Sequence, residues 1–288
     1  MPRLSRQEIV LIGITVLWGT TYLIVHTAML YCGPSFFVGV RFITAGVASL
    51  FLFRRSLVNT TRQEIAVGFG IGVIILLGYF FQTLGLKTVT SSQSAFITAL
   101  FVPFVPMLQW LLFKRFPNQM RCIGIITAFA GLMLLTGAKA QGMTFSMGEF
   151  VTLLSTIAFS AQIVLISYFA PTVDSRRVTI IELWVCGVLS LLLMPVTGEA
   201  LPAFSWIWLA AAVGLGLATS GIQLAMNWAQ KTISPTRATL IYAGEPVWGG
   251  IVGRLGGDRL PPLSFVGAGL IVIAVIVSEL KPVRWRKS

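Results

Sequence analysis

Apolar runs of about twenty residues follow one another along almost the whole chain, separated by short gaps rich in Gly, Pro, Ser, Asn or charge. A run of roughly that length spans the hydrocarbon of a bilayer as a helix. Reading the gaps as helix ends predicts ten spans, at 8–29, 35–53, 65–85, 91–113, 120–138, 148–168, 178–196, 205–227, 236–254 and 262–280. No gap is long enough for a soluble domain or a nucleotide-binding cassette. The pattern predicts an all-α integral membrane protein with ten transmembrane helices.

Two of the spans are interrupted in the same way. "LKTVTSSQSAFITALFVPFVPML" (86–108) and "QKTISPTRATLIYAGEPVWGGIV" (230–252) each pass from Lys-Thr through a polar turn to an Ala and then a Pro: Ala95 and Pro103, Ala238 and Pro246. The likeness extends further. A shift of 141 residues lays Glu8 on Glu149, Trp18 on Phe159, Arg41 on Glu182, Gly46 on Gly187 and Ser49 on Ser190. Shifts of 143 and 144 lay Gly124 on Gly267 and Lys87-Thr88 on Lys231-Thr232. The chain therefore reads as two five-helix copies, 1–140 and 147–281, with a basic tail at 282–288. Five spans is an odd number, so the copies have opposite orientations. Inverted repeats of this kind characterise secondary transporters, whose site lies near the midplane between the halves.

Composition agrees with a bilayer as solvent. Of the 288 residues, 56% are hydrophobic and 10% charged, and the mean hydropathy is +0.88, whereas roughly a quarter of a soluble sequence is charged. The net charge of +12 invites a nucleic-acid partner, but its placement argues for none. Arg3, Arg6, Arg54, Arg55, Arg62, Lys114, Arg115, Arg121, Arg176, Arg177, Lys231, Arg237, Lys281, Arg284, Arg286 and Lys287 fall in gaps on one side of the predicted membrane. Only Lys87, Lys139, Arg254 and Arg259 fall on the other, with Arg41 inside a span. The positive-inside rule then predicts a multi-pass inner (plasma) membrane protein with both termini cytoplasmic. The first run follows Arg3 and Arg6 as a signal peptide would, but it is as long as a span and lacks a cleavage pattern. Cys32, Cys122 and Cys186 are far apart and odd in number, so they read as free thiols; His26 is the lone histidine, and no metal site is expected.

Candidate chemistry lies in the interrupted spans and on polar stripes. A carboxylate inside a membrane helix is costly and faces a cavity or a partner, and Pro246 frees the carbonyl near Tyr242 from its helical donor. Glu245 thus reads either as a substrate contact and proton-coupling acid or as a capped structural carboxylate. Pro103 and Pro246 are the helix-break candidates. Trp18, Tyr22 and His26 recur every four residues on one face of the first span, and Ser155, Phe159 and Gln162 repeat the theme in the sixth. Tyr79, Gln82, Gln93, Gln223 and Asn227 are intramembrane hydrogen-bonding groups that either tie helices together or face a cavity. An aromatic wall with a few polar points suits an amphipathic organic solute. The substrate-binding candidates are therefore Trp18, Tyr22, Tyr79, Gln82, Gln93, Phe159, Gln162, Gln223, Asn227, Tyr242 and Glu245. Arg41 and Glu182, close enough to span ends to snorkel, are read as gating or structural charges.

The stretch "LWGTTYLIVHTAMLYCGPSFFVGVRFITAG" resembles the opening of the EamA-type transporters of the drug/metabolite transporter superfamily, through Trp18, Gly19, Pro34 and Arg41. "YAGEPVWGGIVGRLGGDRLPPLSFVGAGLIV" resembles that family's second-half ending, with a Glu-Pro, an acid after a glycine turn and a Gly-rich last helix. Asp258 stands where the family has Glu, and Arg115 holds the corresponding first-half position. The resemblance implies a ten-helix inner-membrane carrier, often an exporter of metabolites or amino acids, without a cofactor.

The expected function is a secondary transporter moving a small organic metabolite, amino-acid-like or amphipathic, outward by alternating access, with the proton as a coupling ion. The partners are then that solute and the bilayer, in a monomer or a homodimer. A scaffold or sensor without transport is the alternative. An intramembrane enzyme would need an acid–base or metal cluster, and neither a metalloprotease motif, a nucleophile elbow nor a second histidine is present.

Overall fold

The computed structural model describes residues 5–114, 119–135 and 146–279. The basic tail at 282–288, the 139–145 part of the central loop, Lys139 and Arg115 lie outside the described residues. The described helices are α1 (Arg6–Ala28), α2 (Pro34–Phe53), α3 (Arg62–Gly85), α4 (Ser91–Thr98), α5 (Phe101–Phe113), α6 (Gln119–Leu135), α7 (Met147–Phe169), α8 (Ser175–Thr197), α9 (Trp206–Ala229), α10 (Pro235–Tyr242), α11 (Glu245–Leu255) and α12 (Pro262–Glu279).

Local chemistry sets the ends. Ser5, Thr61 and Ser146 each cap a helix by accepting the N–H of Glu8, Glu64 or Glu149, whose carboxylate returns to the cap's own N–H. This reciprocal box satisfies two of the N-terminal donors that the helix cannot. Pro34 and Pro235 open α2 and α10, where a missing N–H costs nothing. At Gly198, φ is 67°, a left-handed conformation that ends α8.

Proline also explains the main departure from ten continuous spans. The expected helices at 91–113 and 236–254 are each two half-helices with a two-residue break. Pro103 and Pro246 have no N–H to return to Ala99 and Tyr242. The chain tightens instead: Val102 donates to Ala99 at 3.1 Å, and Gly244 donates to Ile241 at 3.1 Å.

Seven described helical segments are long and apolar enough to cross a bilayer, with α4 and α5 forming one of them. The shorter apolar stretches Cys122–Leu134 in α6 and Pro262–Ala274 in α12, together with the α10–α11 pair, complete the ten-span, two-repeat arrangement. Each half packs through equivalent surfaces of the other. α3 lies against α7 as α9 lies against α1, α11 lies against α1 as α5 lies against α7, and α2 with α8 and α6 with α12 pack as matched pairs. Small residues let these backbones approach: a Cβ at Gly187 would stand 2.8 Å from the Ile43 nitrogen, and one at Gly131 would stand 2.8 Å from the Gly267 oxygen. Outward-facing Phe51, Ile126, Leu192, Leu217 and Phe265 are exposed, as a lipid-facing surface requires. The polar groups Arg41, Glu182, Gln223, Asn227 and Glu245 are buried inside.

Candidate functional site

Between the halves lies a narrow cleft walled by Trp18, Thr21, Tyr79, Gln82, Thr98, Phe101, Phe159, Gln162, Ile163, Met226 and Glu245. Its open interior is about 30 Å³, room for water and well below the roughly 300–1,000 Å³ of small-ligand sites. α1 and α7 contribute residues from their middles, and the break between α10 and α11 places Glu245 at the first position of a half-helix. A helix N-terminus carries unpaired N–H groups and partial positive charge, which favours a carboxylate there. Proline and the membrane environment thus create a place where an acid is tolerated.

A chain of hydrogen bonds fixes this acid. The Tyr22 hydroxyl donates to Glu245 Oε1. Gln82 Nε2 donates to the Tyr22 hydroxyl at 3.3 Å and to Thr98 Oγ1 at 3.3 Å. Glu245 Oε2 has no hydrogen-bond partner among the described residues, and the buried indole Nε1 of Trp18 has none either. Rings frame the group: Trp18 meets Tyr242 edge-on at 5.1 Å, and Tyr79 meets Phe159 edge-on at 5.1 Å.

Six residues singled out in the sequence, Trp18, Tyr79, Gln82, Phe159, Gln162 and Glu245, line the cleft directly. Tyr22 and Tyr242 stand one layer behind. Tyr242 is fully buried and accepts from Gln230 Nε2 at 3.1 Å. Gln223 backs the wall by accepting from Gln162 Nε2 at 3.1 Å. Two residues lie elsewhere. Asn227 bridges α9 to α8, donating to Glu182 Oε1 at 2.8 Å and Thr179 Oγ1 at 3.1 Å. Gln93 sits in the first turn of α4 and donates to Glu149 Oε1 at one end of the bundle. Its pseudo-equivalent is Arg237, in the first turn of α10, which pairs with Glu8 at the opposite end.

Arg41 does not snorkel. It is 2% exposed, donates to Thr219 Oγ1 at 3.0 Å, and stacks its guanidinium 4.8 Å from the Tyr79 ring centroid. It forms no ion pair with Glu245, and the wall of the cleft does not include it. Glu182 is likewise fully buried, held by Asn227 away from the cleft. These two charges sit at matched positions of α2 and α8 and tie those helices to α9.

Thr21, Thr98, Phe101, Ile163 and Met226 line the cleft but were not singled out from the sequence. The repeat holds the signal for all five. The 141 shift carries Gln162 back to Thr21 and Tyr22 forward to Ile163, and the 144 shift carries Gln82 forward to Met226, Tyr242 back to Thr98 and Glu245 back to Phe101.

The EamA-like transporter family matches the chain twice, at residues 6–137 and 146–280. An uncharacterized transporter of Archaeoglobus fulgidus is 27% identical over 269 residues, covering 93% of this chain and 84% of the relative. The uncharacterized inner membrane transporter YedA of Escherichia coli K12 is 27% identical over 290 residues, covering 94% and 89%. A crystal structure of a protein 20% identical in sequence shares the fold, with a TM-score of 0.69 over 96% of this chain and 97% of that one. The two family matches together span nearly the whole chain, and the chain belongs to the EamA-like transporter family, as a multi-pass membrane transporter.

Proposed function

We propose that the protein is a secondary transporter of the inner membrane that moves a small organic metabolite, amino-acid-like or amphipathic, outward by alternating access, with Glu245 as its proton-coupling acid. The outward direction is the one that the family resemblance implies. The observation that carries the reading is the position of Glu245. It is a half-bonded carboxylate at a helix break, in a ring-walled cleft to which both inverted halves contribute. The orientation rests on charge: Arg6, Arg54, Arg55, Arg62, Arg176, Arg177, Lys231 and Arg237 gather at the end of the bundle where α1 begins, and this end is taken as cytoplasmic.

Alternating access is tested with single cysteines at Trp18, Gln82 and Gln162 in a cysteine-free protein, in vesicles of both orientations. A small hydrophilic thiol reagent should reach each position from either side, whereas a cysteine at Asn227, off the wall, should stay unreactive. Labelling from one side alone would leave a blind cavity and remove the case for transport. Reporter fusions after Arg177 and Ser288 should report cytoplasm, and one within 139–146 should report periplasm; a periplasmic C-terminus overturns the orientation.

A further inference from the structure

α2 and α9 run side by side, joined by the bond between the Ser49 and Ser220 hydroxyls at 2.7 Å. Along them lies an open apolar groove of about 570 Å³, lined by Ile43, Val47, Phe51 and Leu52 of α2 and by Leu217 of α9. Phe51, Leu52 and Leu217 are exposed there. The face of α9 that carries Leu217 continues through Leu224 and Trp228, seven and eleven residues on, with Lys231 just past the helix end. Those three side chains border a second hollow of about 240 Å³, together with Phe53 of α2 and with Ser175 and Arg176 at the start of α8. Apolar groove and polar hollow thus share one stripe of α9. From Leu217 to Trp228 the helix rises about 16 Å at 1.5 Å per residue. That is close to half of a hydrocarbon core about 30 Å thick.

We propose that groove and hollow form a site for one phospholipid with a negatively charged headgroup, its phosphate in the hollow and an acyl chain along α2 and α9. The site is separate from the cleft and does not depend on the transporter reading. Ser175 gives the first reason. Its hydroxyl is buried at the edge of the hollow with no hydrogen-bond partner among the described residues, and a buried polar group left unpaired is costly. A phosphate oxygen would accept from it. Lys231 gives the second reason: its ammonium donates to the Val173 carbonyl at 3.0 Å, which leaves two of its three N–H groups for a ligand. Ser175 also opens α8, and the free N–H groups of a helix N-terminus favour phosphate. Charge selects among lipids. Asp174, which also borders the hollow, accepts the Arg176 N–H at 2.8 Å and lies 4.0 Å from its guanidinium. Arg176 is thereby offset and Lys231 is not. Arg54 and Arg55 follow Phe53 directly and are exposed, so the rim is net positive and attracts an anionic lipid surface. A zwitterionic headgroup would bring its own cation to that rim. A free phosphate would use the hollow and leave the apolar groove without a role.

The test varies the headgroup and keeps the acyl chains constant. Full-length protein, washed free of lipid in detergent, is titrated with phosphatidylglycerol, with phosphatidylcholine of the same chains, and with glycerol 3-phosphate. Native mass spectrometry counts the bound molecules, and the denaturation midpoint is followed. Phosphatidylglycerol should bind as one tight molecule per chain and raise the midpoint in a saturable way. Phosphatidylcholine should bind more weakly, and glycerol 3-phosphate should not move the midpoint at the same concentrations. Ser175→Ala removes no hydrogen bond that the lipid-free protein makes through this hydroxyl. It should therefore keep its lipid-free midpoint and bind phosphatidylglycerol about tenfold more weakly, the worth of one hydrogen bond to a charged group. Lys231→Gln should weaken binding at least as much. Arg62→Gln removes an exposed charge from the same end of the bundle but outside the hollow, and should leave the affinity unchanged. Equal binding of phosphatidylcholine, unchanged affinity in Ser175→Ala, an equal loss in Arg62→Gln, or a shift matched by glycerol 3-phosphate overturns the proposal. So does a lipid-free dimer cross-linked through this groove, which would make the occupant a second copy of the chain. If Ser175→Ala does not fold, the headgroup series on the wild-type protein decides alone.

Discussion

The two helix breaks are built from the same backbone device and finished differently. In the first half, the hydroxyls of Thr156 and Ser160 on α7 lie 3.4 Å and 3.3 Å from the carbonyls of Ile97 and Phe101, which flank the break between α4 and α5. The counterpart of α7 at the second-half break is α1, which packs against α10 and α11, and the 141 shift puts Thr15 and Gly19 at these positions. Thr15 turns back to the Ile12 carbonyl of its own helix at 2.7 Å. Gly19 has no side chain, so the backbone of Trp248 and Gly249 closes against it: a Cβ at Gly19 would stand 2.8 Å from the Gly249 nitrogen. One break is stitched by hydroxyls and faces the cleft with Phe101; the other is packed by contact and faces it with Glu245. The break is therefore a property of the repeat, and the chemistry is a property of single side chains placed on it.

The largest effect expected from disturbing this asymmetry is at Glu245. Glu245→Gln keeps the shape and the bond to Tyr22 but removes both charge and titration. The variant should insert and fold, and should lose accumulation against a gradient by at least about tenfold, the result of removing a buried charged partner. Uptake into proteoliposomes under an imposed pH gradient measures this. Normal accumulation by Glu245→Gln would make the acid structural and dissolve the functional difference between the breaks.

Next come the residues that finish each break. Gly19→Ala forces a methyl into backbone atoms, and overpacking of that kind costs about 1–3 kcal/mol. Ser160→Ala removes a hydroxyl shared between the Thr156 and Phe101 carbonyls, and an intramembrane hydrogen bond is worth about 0.6 kcal/mol. Denaturation midpoints in one detergent should therefore fall further for Gly19→Ala than for Ser160→Ala. The opposite order would mean that the hydroxyl stitch, rather than close packing, is the stronger joint.

Much of this architecture was legible because its signals are local. Caps such as Ser5 with Glu8 and Ser146 with Glu149, and prolines at 34, 103, 235 and 246, mark helix ends by backbone chemistry that needs no tertiary context. Facing is harder to read. A membrane helix is apolar toward lipid and toward its neighbours alike, so the spans lack the polar–apolar contrast that orients a helix in water. Asn227 and Gln82 look alike in the sequence as isolated polar residues; only packing sends one to Glu182 and the other to the cleft. The same ambiguity hides Ile163 and Met226 when each span is read alone, because their apolar side chains carry no mark of a cavity; only the repeat, which pairs them with Tyr22 and Gln82, points there. The setting of Arg41 was open for a related reason, because a long cation near a span end fits both a snorkelled and a buried position, and Thr219 and the Tyr79 ring on neighbouring helices select the buried one.

The smallest effect separates the two ends of the bundle. In the first turn of α10, Arg237 pairs with Glu8; in the first turn of α4, Gln93 donates to Glu149. Both carboxylates belong to capping boxes of equivalent helices, so the ends share a design and differ by one charge. Arg237 is 61% exposed in its side chain, and an exposed pair is weakened by salt, since the Debye length falls to about 3 Å near 1 M. Arg237→Gln copies the neutral clasp of the other end. It should lower the denaturation midpoint slightly at low ionic strength and leave it unchanged near 1 M salt, because the wild-type pair is by then screened. Gln93→Ala, which removes a bond from a neutral donor, should cost the same at both salt concentrations. A salt-independent loss in Arg237→Gln would show that the arginine holds its end through packing of its stem and hydrogen bonding rather than through charge, and the two clasps would then be equivalent in kind.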